Sequence, residues 1–190
     1  MSFISTDRHF IFIHVQRTGG TSISRTLRPL CEETESNIPL HPPAFFVRKN
    51  WPKGWAESFK VGFVRNPWDL WVSWYCGLSR FSAEYPTFRE YMLHHKEWHC
   101  PPGFHFTNQA HQLCDETGKE IIVDFVGRYE NIDADFAHVC RQIGIDNPGL
   151  IHINNSRISH GDYHEWYDPD TMAIVKQISE PTIRMFGYEY

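Results

Sequence analysis

Residues 10–27 read FIFIHVQRTGGTSISRTL, an apolar run that turns abruptly through Arg17, Thr18, Gly19, Gly20, Thr21 and Ser22 into a helical pattern. The run from Phe10 to Val15, broken only by His14, suits a strand covered on both faces, as in a parallel sheet. From Thr21 onward Ile23, Leu27 and Leu30 recur at i, i+4 and i+7 while Arg25 and Arg28 turn away, and Pro29 marks the approximate helix end. The unit is strand, corner, helix. Its corner suits a terminal tetrahedral anion. Paired glycines let backbone N–H groups approach a ligand closely, and the helix start supplies unpaired N–H groups and a positive dipole end. Arg17, Thr18, Thr21 and Ser22 add charge and hydroxyls. A tight turn whose hydroxyls merely cap the helix is the plain alternative. Neither G-x-x-x-x-G-K-[ST] nor G-x-G-x-x-G is satisfied, since Gly20 is followed by Thr21 rather than Lys.

Two more such units follow. In KVGFVRNPWDLWVSWY, residues 60–75, Val61 to Val64 is a predicted strand, Asn66 a helix cap and Pro67 a first helical position. Trp68, Trp71, Val72 and Tyr75 form the apolar stripe of that helix. A third strand is expected over Ile121 to Val126, leading through GRYEN into a helix over Ile132 to Ile143 that carries Phe136, Val139, Cys140 and Ile143 on one face and stops at Gly144. This alternation predicts an α/β fold with a central, mainly parallel sheet flanked by helices, as a single domain over residues 1–190. Residues 31–58 and 82–118 are rich in Pro, His, Trp and Phe with weak periodicity. They are expected as ordered loops or short helices over the carboxyl ends of the strands, where ligands gather. A last helix starts at Asp168-Pro169, is kinked or divided by Pro181 and ends at Gly187.

A formal net charge of -5 argues against broad binding to nucleic acid or anionic membrane, so an anion site must be a local pocket. No run of about 18 apolar residues and no signal-peptide pattern is present, which makes a cytoplasmic protein the expectation. The 5 cysteines, at positions 31, 76, 100, 114 and 140, do not form a disulfide pattern. His94, His95, His99, Cys100, His105, His111 and Cys114 cluster in sequence, but their spacings do not reproduce the ligand pairs of tetrahedral zinc sites, and no metal is expected. The aromatic stretch Trp51 to Phe59 is a candidate for stacking on sugar or adenine, whereas Trp68, Trp71, Trp74 and Tyr75 are expected mostly in the core.

Arg65 ends the second strand and Ser73 lies eight residues on, a second basic fork with a hydroxyl. Two separate anion grips fit a nucleotide charged at both its 5′ and 3′ positions. In these residues the chain resembles the sulfotransferases. HVQRTGGTSI is similar to their 5′-phosphosulfate loop and VRNPWDLWVSWY to their 3′-phosphate motif. LHPPA, DFVGRYEN and FGY resemble further family stretches in the same order, over most of the chain. The likeness is to the carbohydrate-type branch, with heparan 2-O-sulfotransferase relatives and small bacterial members. It implies a P-loop-like three-layer fold, the donor 3′-phosphoadenosine 5′-phosphosulfate (PAPS), no required metal, and in-line transfer to an acceptor hydroxyl, on a carbohydrate.

The resemblance further implies a role for each matching residue. Arg17, Thr18, Gly19, Gly20, Thr21 and Ser22 would meet the leaving 5′-phosphate, although the family usually has Lys at the Arg17 position. Arg65 and Ser73 would hold the 3′-phosphate. His41, in LHPPA, matches the segment where relatives place a general base; a packed loop histidine is its alternative role, and Glu remains a possible base because other branches use one. The group Glu32, Glu33 and Glu35 is expected as a solvated face. Arg128 is placed by position rather than by likeness: at the carboxyl end of the third strand it would contact donor or acceptor, or equally pair with Glu130 to fix its loop. Ser156 and Arg157 fall in a loop that would close over the nucleotide. Two functions from other classes stay open: a nucleotide-dependent kinase, for which a Walker Lys and a magnesium-binding Asp are lacking, and a non-catalytic nucleotide- or glycan-binding module.

Overall fold

Three phenylalanines start the sheet. Phe3 pairs with Phe12 across an antiparallel ladder, and the ring of Phe3 meets that of Phe10 edge to face with centroids 5.2 Å apart. All three are fully buried, each contributing roughly 1.5–3 kcal/mol of apolar transfer. The computed structural model describes residues 1–35, 37–77, 83–94, 108–153 and 160–190. They fall into two compact units, Met1–Val64 with Gln109–Ile153, and Arg65–Asn108 with Asn154–Tyr190.

The first unit holds the sheet, in the order β1 (Phe3–Ser5), β2 (Phe10–Ile13), β3 (Phe59–Val64), β4 (Phe125–Arg128). β1 is antiparallel to β2, and β2, β3 and β4 run parallel. Alternation along the strands gives each face its own cover. Phe10, Phe12, Val61 and Phe63 pack with Ile23 and Leu27 of α1 (Gly20–Leu27) and with Phe136, Val139 and Cys140 of α7 (Ile132–Gln142). On the opposite face Leu113 of α6 (Gln109–Leu113) lies so close to Gly62 that a Cβ there would stand 2.3 Å from it. Two short helices, α2 (Ala44–Asn50) and α3 (Pro52–Glu57), fill residues that showed no clear period. The α/β architecture with helices on both faces of a mostly parallel sheet is as expected.

One strand is displaced. β4 begins at Phe125 rather than Ile121. Ile121 bridges to Cys114 instead, and Ile122 N donates to Leu113 O at 3.0 Å. Asp124 is where pairing with β3 begins: its N–H donates to Lys60 O at 2.9 Å, and its carboxylate accepts from Lys60 N at 2.7 Å and pairs with Lys60 Nζ at 2.8 Å. The apolar triplet Ile121 to Val123 therefore closes a hairpin-like turn onto α6, and the parallel register starts at Val61 opposite Phe125.

The second unit is helical among its described residues. α4 (Pro67–Gly77) is capped by Asn66, whose Oδ1 accepts from Trp68 N at 3.0 Å, with Pro67 at its first position. Trp68, Trp71, Val72 and Tyr75 are buried against Phe88, Tyr91 and Met92 of α5 (Phe88–Leu93) and Val175 of α8 (Pro169–Ile178). Asp168 and Thr171 cap α8 reciprocally. Helix α8 ends at Ile178, and α9 (Glu180–Phe186) starts anew with Pro181 in its first turn and Gly187 as its left-handed stop. Pro181 thus divides the segment, because an interior Pro would forfeit a backbone hydrogen bond.

Candidate functional site

The corner after β2 is held in a strained path. Val15 N donates to Ile13 O at 3.1 Å, closing the strand. Arg17 then adopts φ 63° and Gly19 φ 80°. The left-handed region costs a non-glycine residue roughly 1–2 kcal/mol, and such outliers gather at ligand clamps. Thr18 is buried and its hydroxyl donates to Val15 O at 2.8 Å. Helix α1 opens on Gly19 with no side chain capping it among the described residues. Its first backbone bond runs from Ile23 N to Gly19 O, so the N–H groups of Gly20, Thr21 and Ser22 are the outward-facing donors of the first turn.

Both glycines are also required by contact. A Cβ on Gly20 would stand 1.9 Å from Cδ2 of His14, and one on Gly19 would stand 2.3 Å from Cδ1 of Ile132. Gly20→Ala is expected to lose about 1–3 kcal/mol by overpacking, read as a lower midpoint in urea denaturation. An unchanged midpoint would show that the His14 ring moves aside at no cost.

Ser22 is buried and occupied: its Oγ accepts from Ile153 N at 3.0 Å and lies 3.4 Å from Ile153 O. One turn on, Thr26 Oγ1 accepts from Ile151 N at 3.1 Å. The hydroxyls of α1 therefore tie down residues 151–153, while Thr21 faces solvent.

His41 stands against the same corner. Its Nδ1 lies 3.0 Å from the carbonyl oxygen of His14, and the two rings meet edge to face at 4.5 Å. A carbonyl only accepts, so Nδ1 carries the hydrogen and Nε2 keeps its lone pair. Partial burial lowers the His41 pKa from the ordinary imidazole value, against the opposing pull of the His14 carbonyl. His14, expected as a satisfied strand residue, is buried, and its N–H donates to Ser2 Oγ at 2.8 Å. Burial first, then the nearby amino terminus and His41, lower its pKa to about 2, so the ring is neutral.

At the end of β4, Arg128 is exposed and in register with Val64. Its N–H donates to Asp135 Oδ2 at 2.6 Å, and Asn131 Nδ2 donates to Asp135 Oδ1 at 3.1 Å, which fixes the turn.

In the second unit, Arg65, Asp69 and Ser73 recur every four residues and so share one face. All are buried, at 1%, 2% and 0% exposure. Arg65 donates from Nε to Asp69 Oδ2 and from Nη2 to Asp69 Oδ1, both at 2.8 Å. This bidentate arrangement fixes the plane of the guanidinium fork. His160 adds its Nε2 at 3.4 Å from both Arg65 Nη2 and Asp69 Oδ1. A fully buried polar stripe on a helix otherwise packed with tryptophan is costly unless each group is matched. Asp69 had a signal in the sequence, an opposite charge four residues from Arg65. His160 had none, since it is distant in sequence from both.

The remaining expectations divide. Ser156 and Arg157 lie outside the described residues, as do His95, His99, Cys100 and His105. His94 Nδ1 donates to Glu90 O at 2.8 Å, and Cys114 is buried with its thiol pushed up to about 11 by desolvation. Among the described residues no group of three His, Cys, Asp or Glu side chains could hold a metal ion, and no helix is long and apolar enough to cross a membrane. Glu32 and Glu33 are exposed, and their N–H groups donate to Asp7. Trp68, Trp71 and Tyr75 are core, while Trp51 and Trp55 are half-buried, with Lys60 Nζ 5.7 Å from the Trp55 ring centroid.

Comparison with known proteins places this geometry. The profile of the Sulfotransferase family matches residues 1–189, and the chain belongs to that family. An uncharacterized protein of Archaeoglobus fulgidus is 31% identical over 116 residues, covering 60% of this chain and 92% of the relative. The crystal structure of a sulfotransferase from Alicyclobacillus acidocaldarius shares the fold, with a TM-score of 0.53 and 14% identity over 96% of each chain. Sulfuryl transfer is accordingly the class of reaction to which the chain belongs, and its fold is the P-loop-like one.

Proposed function

We propose that the protein transfers a sulfuryl group from PAPS to an acceptor hydroxyl on a carbohydrate, with His41 as general base. One observation carries this reading: the His41 Nδ1 contact to the carbonyl of His14, three residues before Arg17 opens the anion corner, which leaves a basic Nε2 on the His41 ring. The family match runs through both units, which supports treating residues 1–190 as one catalytic domain. Arg17, the backbone of Gly19 and the N–H groups of Gly20, Thr21 and Ser22 meet the 5′-phosphate end of the donor; Thr18 takes part through its N–H, since its hydroxyl hydrogen is held by Val15. Arg65 and Ser73 hold the 3′-phosphate, and Arg128 contacts donor or acceptor at the end of β4. Ser156 and Arg157 close over the nucleotide, as the family likeness implies.

His41 Nε2 takes the proton of the acceptor O–H as oxygen attacks sulfur. The bond from sulfur to the bridging oxygen breaks, and 3′,5′-ADP leaves with one more negative charge. Arg17 and the helix N–H groups are aimed at that charge, and such preorganised donors cost no reorganisation during the step. An Arg where relatives have Lys keeps the charge but offers a planar fork. The transferred group carries less charge than a phosphoryl group, so no metal is needed to neutralise it. A carbohydrate acceptor follows the likeness to the heparan 2-O-sulfotransferase branch.

The test is thermal unfolding with 3′,5′-ADP against 5′-AMP. At about 100 times Kd the bisphosphate contributes about 2.7 kcal/mol, which for a chain of this size raises Tm by roughly 5–10 °C. Equal shifts with both nucleotides would remove the second anion grip, and with it PAPS as donor.

A further inference from the structure

Resting on the reading that Arg65 receives the donor's 3′-phosphate, we propose that His160 is the proton-carrying member of that grip: it takes a proton from solvent when the phosphate seats, and so selects a dianionic phosphate over a singly charged ester. Its ring is fully buried, yet packing alone needs no imidazole there. Nδ1 lies 3.1 Å from Gly161 O, which fixes the hydrogen on that nitrogen. Nε2 then faces two partners at the same distance, 3.4 Å from Arg65 Nη2 and from Asp69 Oδ1. Neutral, it accepts from Arg65. Protonated, it donates to Asp69, which relieves the carboxylate of sole dependence on Arg65 and lets the guanidinium turn part of its charge to a ligand.

Charge bookkeeping gives the direction. Before ligand arrives, Arg65 and Asp69 cancel and His160 is neutral, because burial lowers its pKa more than Asp69 raises it. A phosphate dianion makes the cluster strongly negative, and a proton on His160 offsets part of it. Among the described residues, the charged groups facing the ring are Arg65 and Asp69. The Tyr167 phenol feels Asp69 but donates to Trp68 O at 2.8 Å, and its pKa lies well above the ordinary value, mainly through desolvation, so it stays protonated. Further along the segment Asp162 and His164 pair with each other at 2.6 Å in the open. The bound-state pKa of His160 exceeds its free-state pKa. Affinity is therefore full below the free-state value and falls by up to about tenfold per pH unit as pH rises toward the bound-state value.

Titration calorimetry near neutral pH, in buffers of different ionisation enthalpy, counts the protons. For 3′,5′-ADP the wild-type protein is expected to take up a proton, approaching about one per ligand. The ligand's own phosphates can only release protons on binding as dianions, so they cannot mimic this sign. With 5′-AMP, which controls for uptake near His41, no uptake is expected; His160→Gln should bind 3′,5′-ADP without uptake and discriminate less well against 5′-AMP. Preference for 3′,5′-ADP with no uptake in the wild type would overturn the role of His160 while leaving the donor assignment standing. Uptake that persists in His160→Gln would do the same. Indistinguishable binding of the two nucleotides would overturn both.

Discussion

His41→Ala is expected to lower sulfate transfer by about 10²–10⁴-fold while 3′,5′-ADP still stabilises the protein as in the wild type. The hydrogen bond from Nδ1 to His14 O orients the ring, and in the proposed role Nε2 alone does chemistry, so removing it takes away a proton acceptor and no donor contact. The pH dependence has a definite sign. Burial lowers the His41 pKa, so the basic form survives to lower pH than an ordinary imidazole allows. Activity should hold through neutrality and fall only as pH drops through that lowered value, and the acid limb should vanish in the variant. Loss of 3′,5′-ADP stabilisation in His41→Ala would instead make the ring a structural part of the corner.

The strand-corner-helix units were legible because their signals are local. Phe10–Ile13 and α1 follow directly from an unbroken apolar run and an i, i+4 pattern. Asn66-Pro67 announced α4, and Asp168-Pro169 announced α8. The third strand was placed four residues early because Ile121 to Val123 is as apolar as a strand. Pairing with β3 starts only at Asp124, bound to Lys60 of that strand through both backbone and carboxylate, and that partner has no sequence neighbourhood to betray it. The helices α2, α3, α5 and α6 lie in stretches expected as ordered loops or short helices, but their bounds could not be read: one or two turns give too few residues to show a period. At the site, the corner and Arg65 were readable as types of residue. The tertiary bonds that define their state were not: Ser22 held by Ile153, His41 by the His14 carbonyl, and Arg65 by Asp69 with His160 beside them.

Asp69→Ala is expected to cost about 3–5 kcal/mol of stability, since a buried guanidinium loses its carboxylate. The urea midpoint should fall steeply with an unchanged slope. That loss alone does not separate a structural ion pair from a ligand grip. A double exchange does. Arg65→Met with Asp69→Leu removes both charges, and because the desolvation cost of such a pair roughly matches its attraction, most of the lost stability should return. A pair kept for folding predicts that the double variant stays unstable. A pair kept for a ligand predicts a stable protein that no longer tells 3′,5′-ADP from 5′-AMP. We expect the second result, because apolar residues of similar volume would fill this buried position at less cost than a buried charge. A stable double variant that still prefers 3′,5′-ADP would mean that the 3′-phosphate binds elsewhere.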